Sequence, residues 1–165
     1  MTTETETGMR EQVQDTVRTF EHRKISKILV VINPEYGRKA VNECLQLVQS
    51  GLENPEVHLL YVVDIEPMPF LDNGLEKKFY DELRNKGQEV IDEEVRKLKN
   101  AGINPEVLPM HFGIAAEAIL RAEKTVNPDL IIMASRGLST LKKFLKGSVS
   151  DRVAKEAKAP LLMAK

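Results

Sequence analysis

A single cysteine, Cys44, stands among 165 residues. One thiol excludes an intrachain disulfide and any cysteine-rich zinc site. Histidine is scarce too: His22, His58 and His111 are scattered and form no HExxH or similar pair, so no metal site is expected. An excess of either charge sign is missing, with 24 Lys and Arg against 25 Asp and Glu and a formal net charge of −1. That balance argues against a general nucleic-acid binder. No apolar run reaches the length of a membrane span. The first residues, MTTETETGMREQ, lack the basic start and apolar segment of a signal peptide. The expectation is a cytoplasmic protein with neither a nucleic-acid nor a membrane partner.

What is present suffices for one folded domain. Hydrophobic residues make up 42% and charged residues 30% of the chain, an ordinary globular composition. A domain of this size buries roughly 68–70% of the surface its unfolded chain exposes. Residues 2–7 alternate Thr and Glu and read as a frayed tail. Met9, Val13, Val17 and Phe20 recur at helical spacing and predict a short amphipathic helix to about Arg23. Its polar face mixes both charge signs, which suits packing on its own domain or a dimer mate better than anionic lipid. The chain thus divides into residues 1–24, a tail with a short helix, and residues 25–165, one domain.

From Lys27 the pattern changes. Ile28-Leu29-Val30-Val31-Ile32 and Val57-His58-Leu59-Leu60-Tyr61-Val62-Val63 are the near-continuous apolar runs of strands buried on both faces. Between them, Ala40, Val41, Cys44, Leu45 and Val48 mark a helix, with Gly51 as its C-terminal cap. Cys44 and His58 read as packing residues. Residues 64–74 hold two prolines and read as a loop, in which Met68-Pro69-Phe70-Leu71 suits a lid, a dimer contact or plain loop packing. A long helix follows to about Ala101, with the stripe Leu75, Phe79, Leu83, Val90, Ile91, Val95 and Leu98. Gly87 inside it should cost about 1 kcal/mol against Ala. Pro105 to His111 is a weaker third strand, and Ala115, Ala118, Ile119 and Ala122 mark a helix ending at Asn127-Pro128. Leu130 to Met133 is a fourth strand, a helix starts near Ser148, and Leu161-Leu162-Met163 is a fifth strand. Strands alternating with helices imply an α/β fold, an open five-stranded parallel sheet with helices on both faces.

In such sheets ligands bind beyond the carboxyl ends of the strands, where strand order reverses. The segment after the fourth strand, Ala134-Ser135-Arg136-Gly137 through Lys146-Gly147-Ser148-Val149-Ser150, is the informative one. Two glycines flank a nine-residue spacer, the second opens a helix, and Arg136, Lys142, Lys143 and Lys146 supply positive charge. A helix N-terminus with close-approaching glycine backbone and hydroxyl donors favours phosphate. The same residues also fit a plain connection, with Ser148 and Asp151 as a capping-box-like start and the lysines as a solvated face. His111, at the end of the third strand, is a further candidate for ligand contact.

This segment, SRGLSTLKKFLKGSVSDRV, resembles the universal stress protein (UspA-like) family. Nucleotide-binding members carry Gly-x2-Gly-x9-Gly-Ser/Thr, matched here by Gly137, the spacer and Gly147-Ser148. ILVVIN, LLYVVD, HFGIAAEAI, PDLIIMAS and APLLMAK follow the family's order over about residues 25–165. Two departures stand out: Ala134 replaces the first glycine, and Asn33 replaces an aspartate that holds the adenosine. A methyl group at 134 costs roughly 1–2 kcal/mol if the backbone needs positive φ, and otherwise crowds ribose or phosphate. Asn33 keeps hydrogen-bonding capacity without charge. Both changes should weaken nucleotide binding without abolishing it.

The resemblance implies a Rossmann-like sheet of order 3-2-1-4-5 that binds ATP or a related adenine nucleotide, with Mg²⁺ able to bridge its phosphates. Asn33 would contact the adenosine and the Val62 main chain the adenine edge. Ala134 and Gly137 would lie along ribose and α-phosphate, and Gly147, Ser148, Val149 and Ser150 would hold the β- and γ-phosphates. Arg136 and Lys146 are candidate electrostatic helpers. The apolar strand Leu161, Leu162, Met163 would lie at the sheet edge, an invitation to pair, and the resemblance implies a homodimer there. The function implied is regulatory, in stress adaptation. The residues show no nucleophile–base pair, GxxxxGK[ST] loop or GxGxxG fingerprint, so any ATP hydrolysis should be slow and incidental. The alternative is a homodimeric interaction module whose nucleotide site is vestigial. A phosphorelay receiver is disfavoured, because Asn33-Pro34 and His111-Phe112 stand where it needs acids.

Overall fold

The computed structural model describes residues 24–65, 73–134 and 149–164. The expected N-terminal helix, the Met68–Leu71 cluster and the stretch from Ser135 to Ser148 lie outside the described residues. The elements are β1 (Lys27–Ile32), α1 (Gly37–Gln49), β2 (Glu56–Asp64), α2 (Asn73–Asn100), β3 (Glu106–Val107), β4 (His111–Gly113), α3 (Ala115–Val126), β5 (Leu130–Ala134), α4 (Val149–Glu156) and β6 (Leu161–Ala164). All strand pairs are parallel, in the order β3-β2-β1-β5-β6, with β4 also on β2. This is the expected α/β sheet of order 3-2-1-4-5, with its outer third strand in two pieces.

The division of that strand has a chemical cause. His58 is in register with Glu106 and Leu59 with Val107, whereas Val62 is in register with His111. Leu108, Pro109 and Met110 therefore face only Leu60 and Tyr61. Leu108 still donates its N–H to Leu59 O at 2.8 Å, but Pro109 has none to give, and prolines are confined to sheet edges and bulges for that reason. The strand expected from Pro105 to His111 is thus corrected to Glu106–Val107 and His111–Gly113.

The central strands are buried on both faces, as their continuous apolar runs predict. Ile28, Val30 and Ile32 join Val57, Leu59 and Tyr61 on one face, packed with Ala40, Val41 and Cys44 of α1 and Ile91 and Leu98 of α2. Leu29 and Val31 join Leu60, Val62 and Ile131 on the other, packed with Ala115, Ala118 and Ile119 of α3 and Val153 of α4. Each fully buried Ile, Leu or Val contributes about 1.5–3 kcal/mol relative to exposure. α1 ends as expected, with Gly51 at φ +110° and Leu52 N–H bonded to Leu47 O at 3.0 Å.

In α2 the buried stripe is narrower than the expected one. Gly87, Ile91, Glu94 and Leu98 are buried, Phe79, Leu83, Val90 and Val95 are half-buried, and Leu75 is 59% exposed. A charged residue thus sits within the packed face. The Glu94 carboxylate accepts a 2.8 Å hydrogen bond from Lys97 Nζ, and Arg38 of α1 reaches the neighbouring Glu93 at 2.9 Å. A buried charge is tolerated when it is paired in this way.

The amino ends of β1 and β5 are fastened by Asp129. Its Oδ2 accepts from Ser26 N, Ser26 Oγ and Lys27 N, each at 2.9 Å, and its N–H donates to Lys27 O at 2.8 Å. Glu123 of α3 plays a comparable part before β6, where its Oε1 accepts from Lys158 N at 2.6 Å and Ala159 N at 2.7 Å.

Candidate functional site

β1 and β5 part company at their carboxyl ends. Their register runs from Ile28 opposite Leu130 to Val30 opposite Ile132 and stops there, although β1 continues to Ile32 and β5 to Ala134. The strand order reverses between these two strands, since β2 and β3 lie on one side of β1 and β5 and β6 on the other. A crevice between diverging strand ends at a switch point is where ligands bind in this class of sheet.

Asn33 follows β1 directly at this crevice. Its Oδ1 accepts from Glu35 N at 3.1 Å and Tyr36 N at 2.6 Å, and its main-chain O accepts from Gly37 N at 3.2 Å. The side chain therefore closes the turn that launches α1, a use for which Asn is favoured. Gly37 completes this turn. A Cβ there would lie 2.8 Å from Ile32 Cβ and 2.9 Å from Ile32 Cα, so only glycine lets the start of α1 sit against the end of β1. Sequence reasoning did not single out Gly37; the Asn-Pro-x-x-Gly spacing was the available signal.

Val62 lies one residue beyond the point where β1 stops, because Ile32 is in register with Tyr61. Its side chain is buried and its outer neighbour is His111. Past Tyr61 no β1 residue is in register with β2, so this length of β2 extends beyond β1 at the same end of the sheet. Ala134 is the last residue of β5 and is half-buried. α4 runs back from this end of the sheet to feed the parallel β6, so Val149 and Ser150, its first two residues, lie at the same end as Ala134. Asn33, Val62, Ala134, Val149 and Ser150 are therefore gathered at one end of the sheet. Arg136, Gly137, Lys146, Gly147 and Ser148 lie outside the described residues.

Two neighbouring groups serve the frame. Asp64, which ends β2, accepts from Ala115 N at 3.0 Å and so caps α3. Charge at a helix N-terminus is favourable there. Cys44 is fully buried, and burial pushes its thiol up to about 11. A thiolate is the reactive form, so this cysteine is a packing residue, as expected.

Comparison with known proteins agrees with this architecture. The model of the universal stress protein family matches residues 24–165. Universal stress protein MJ0531 of Methanocaldococcus jannaschii is 33% identical over 111 residues, covering 67% of this chain and 65% of that protein. Universal stress protein MJ0577 of the same organism is 32% identical over 133 residues, covering 69% of this chain and 79% of that protein. The solved structure of MJ0577 superposes with a TM-score of 0.63 at 27% identity, over 86% of this chain and 96% of the other. A universal stress protein family protein of Arabidopsis thaliana, solved with AMP bound, superposes with a TM-score of 0.61 at 25% identity, over 85% and 91% of the two chains. In sequence and in architecture alike, the chain belongs to the universal stress protein family.

Proposed function

We propose that this protein is a stress-response regulator that binds ATP or a related adenine nucleotide in the crevice between β1 and β5. The observation that carries the reading is the early end of the β1–β5 register, at Val30 and Ile132, which opens a gap at the switch point. The AMP-bound Arabidopsis relative supports the adenine nucleotide. Asn33 offers the adenosine its Nδ2 donor, because Oδ1 already accepts two main-chain N–H groups. The Val62 main chain meets the adenine edge, and Ala134 and Gly137 flank the ribose and α-phosphate. Gly147, Ser148, Val149 and Ser150 hold the outer phosphates at the start of α4, with Arg136 and Lys146 adding positive charge. Among the described residues the carboxylate that ends a strand here is Asp64, and it is committed to Ala115 N. A Mg²⁺ ion would therefore be carried by phosphate oxygens and water, which suits its preference for few protein ligands. The role is regulatory, since the side chains of Asn33 and Asp64 serve turns and caps rather than a reacting group.

A second reading is favoured by the same Asn33 geometry together with the methyl group of Ala134. With one side of the amide committed and the first glycine replaced, the site would be vestigial and the dimer surface would do the work. In both readings β6, the last strand in the sheet order, pairs with its copy through Leu161, Leu162 and Met163, all half-buried in the single chain.

Calorimetric titration with Mg-ATP separates the two. Saturable heat that is lost in Gly147→Asp, with the circular dichroism spectrum kept, supports the nucleotide site. Absence of heat at millimolar ATP selects the interaction module, and binding that survives Gly147→Asp moves the site elsewhere. Light scattering at micromolar concentration should return a dimer.

A further inference from the structure

At the opposite end of the sheet, Glu56, His58 and Glu106 each offer one ligand atom, and these atoms lie within 4.8 Å of one another. The backbone brings them together. Glu56 and His58 alternate along β2 and so share a face, and Glu106 of β3 is in register with His58. The two glutamates are exposed, whereas the His58 side chain is only 6% exposed.

The imidazole is used unevenly. Nε2 lies 2.7 Å from Glu56 Oε1. A carboxylate only accepts, so Nε2 carries the proton. The other nitrogen, Nδ1, is buried without a hydrogen-bond partner among the described residues, yet it stands 3.3 Å from Glu106 Oε2. In a neutral ring Nδ1 presents a lone pair there, facing a carboxylate oxygen. Buried polar atoms ordinarily find partners, and two lone pairs at this distance repel unless a proton or a metal cation lies between them. The spacing also fits one: ligands about 2.0 Å from a tetrahedral zinc ion stand about 3.3 Å apart.

We propose that His58 Nδ1 and Glu106 coordinate a divalent cation of the zinc type, completed by water, with Glu56 orienting the ring from its far side. A carboxylate accepting the second ring N–H is the usual support of a metal-bound histidine. The mixed nitrogen and oxygen donors favour zinc over magnesium or calcium, which prefer oxygen alone. The site is remote from the nucleotide crevice, since Glu56 and Glu106 begin their strands, and it stands or falls independently of nucleotide binding.

The test is equilibrium dialysis of the full chain against zinc sulfate, with metal counted by atomic emission and magnesium sulfate run in parallel. Saturable uptake of one zinc per chain is expected, with no comparable magnesium uptake. Glu106→Gln should abolish that uptake, and Glu56→Gln should weaken it about 10–100-fold. Both glutamates are exposed, so both variants should keep the parent circular dichroism spectrum. Nitrogen NMR of the ring should show the Nδ1 resonance move on zinc addition while Nε2 stays protonated. Absence of saturable uptake, or uptake unchanged in Glu106→Gln, overturns the proposal. So does an Nδ1 that is protonated and unmoved by zinc, which would make the cluster an imidazolium held between two carboxylates.

Discussion

The ring of Tyr61 lies against the backbone of Gly87, where a Cβ would stand 2.7 Å from Tyr61 Cε1 and 3.1 Å from Met110 Sδ. The glycine in the middle of α2 is thus a packing device that lets a 28-residue helix lie close on β2.

Gly87→Ala is therefore expected to destabilise the protein, opposite to helix propensity. Alanine gains about 1 kcal/mol as a helix former, but crowding a packed core costs about 1–3 kcal/mol, and the aromatic ring it meets is almost wholly buried. Urea unfolding should show a lower midpoint. Combining Gly87→Ala with Tyr61→Leu should recover part of the loss, a coupling expected of residues in contact. A higher midpoint for Gly87→Ala alone would refute this contact.

Asn33 has two separable duties, and two substitutions divide them. Asn33→Ala removes the acceptor for Glu35 N and Tyr36 N and should lower stability by about 1 kcal/mol, the usual worth of such a cap. Asn33→Asp keeps the acceptor and places negative charge at the start of α1, which should raise stability by about 0.3–1 kcal/mol. It also puts a carboxylate oxygen in place of Nδ2, the aspartate that the family resemblance implies here, so calorimetry should show tighter ATP binding. Weaker binding in Asn33→Asp would show that the Nδ2 donor, not the carboxylate, suits this crevice.

Cys44 gives a pH signature at the alkaline side. Burial raises its thiol from 9.0 to about 11 in the folded state, so the unfolded chain loses this proton first. The contribution is present in full below pH 9 and fades as pH rises towards 11. Two units correspond to about 2–3 kcal/mol. Unfolding free energies measured from pH 8 to pH 11 should fall less steeply in Cys44→Ala than in the parent. Parallel curves would mean that the thiol ionises as readily in the fold as outside it. A maleimide at pH 7 should label Cys44 only on unfolding.

The central sheet was legible because Ile28–Ile32 and Val57–Val63 are apolar on both faces, a pattern that a half-exposed strand cannot show. The outer strand was not, because Glu106 and Val107 are exposed and their pairing is interrupted by Pro109. The stripe of α2 was blurred for a related reason. Gly87 is buried by Tyr61, far away in sequence, and Glu94 by Arg38 of α1 together with Lys97 one turn along its own helix, and no periodicity of apolar residues contains that information. At the crevice, Asn33 and Ala134 were found because strand ends can be located from apolar runs. The fastening by Asp129 and the cluster of Glu56, His58 and Glu106 were missed because each depends on register between strands.

The strands β1 and β5 work as a pair of tongs. Asp129 is the rivet at one end, and the tips are Asn33 and Ala134 at the other. A rivet that accepts three hydrogen bonds from Ser26 and Lys27 fixes the angle from which the tips diverge, so the opening is set when the chain folds and a guest need not prise it apart. Changes at Ser26 or Asp129, a full strand's length from the tips, would retune that aperture without touching Asn33 or Ala134.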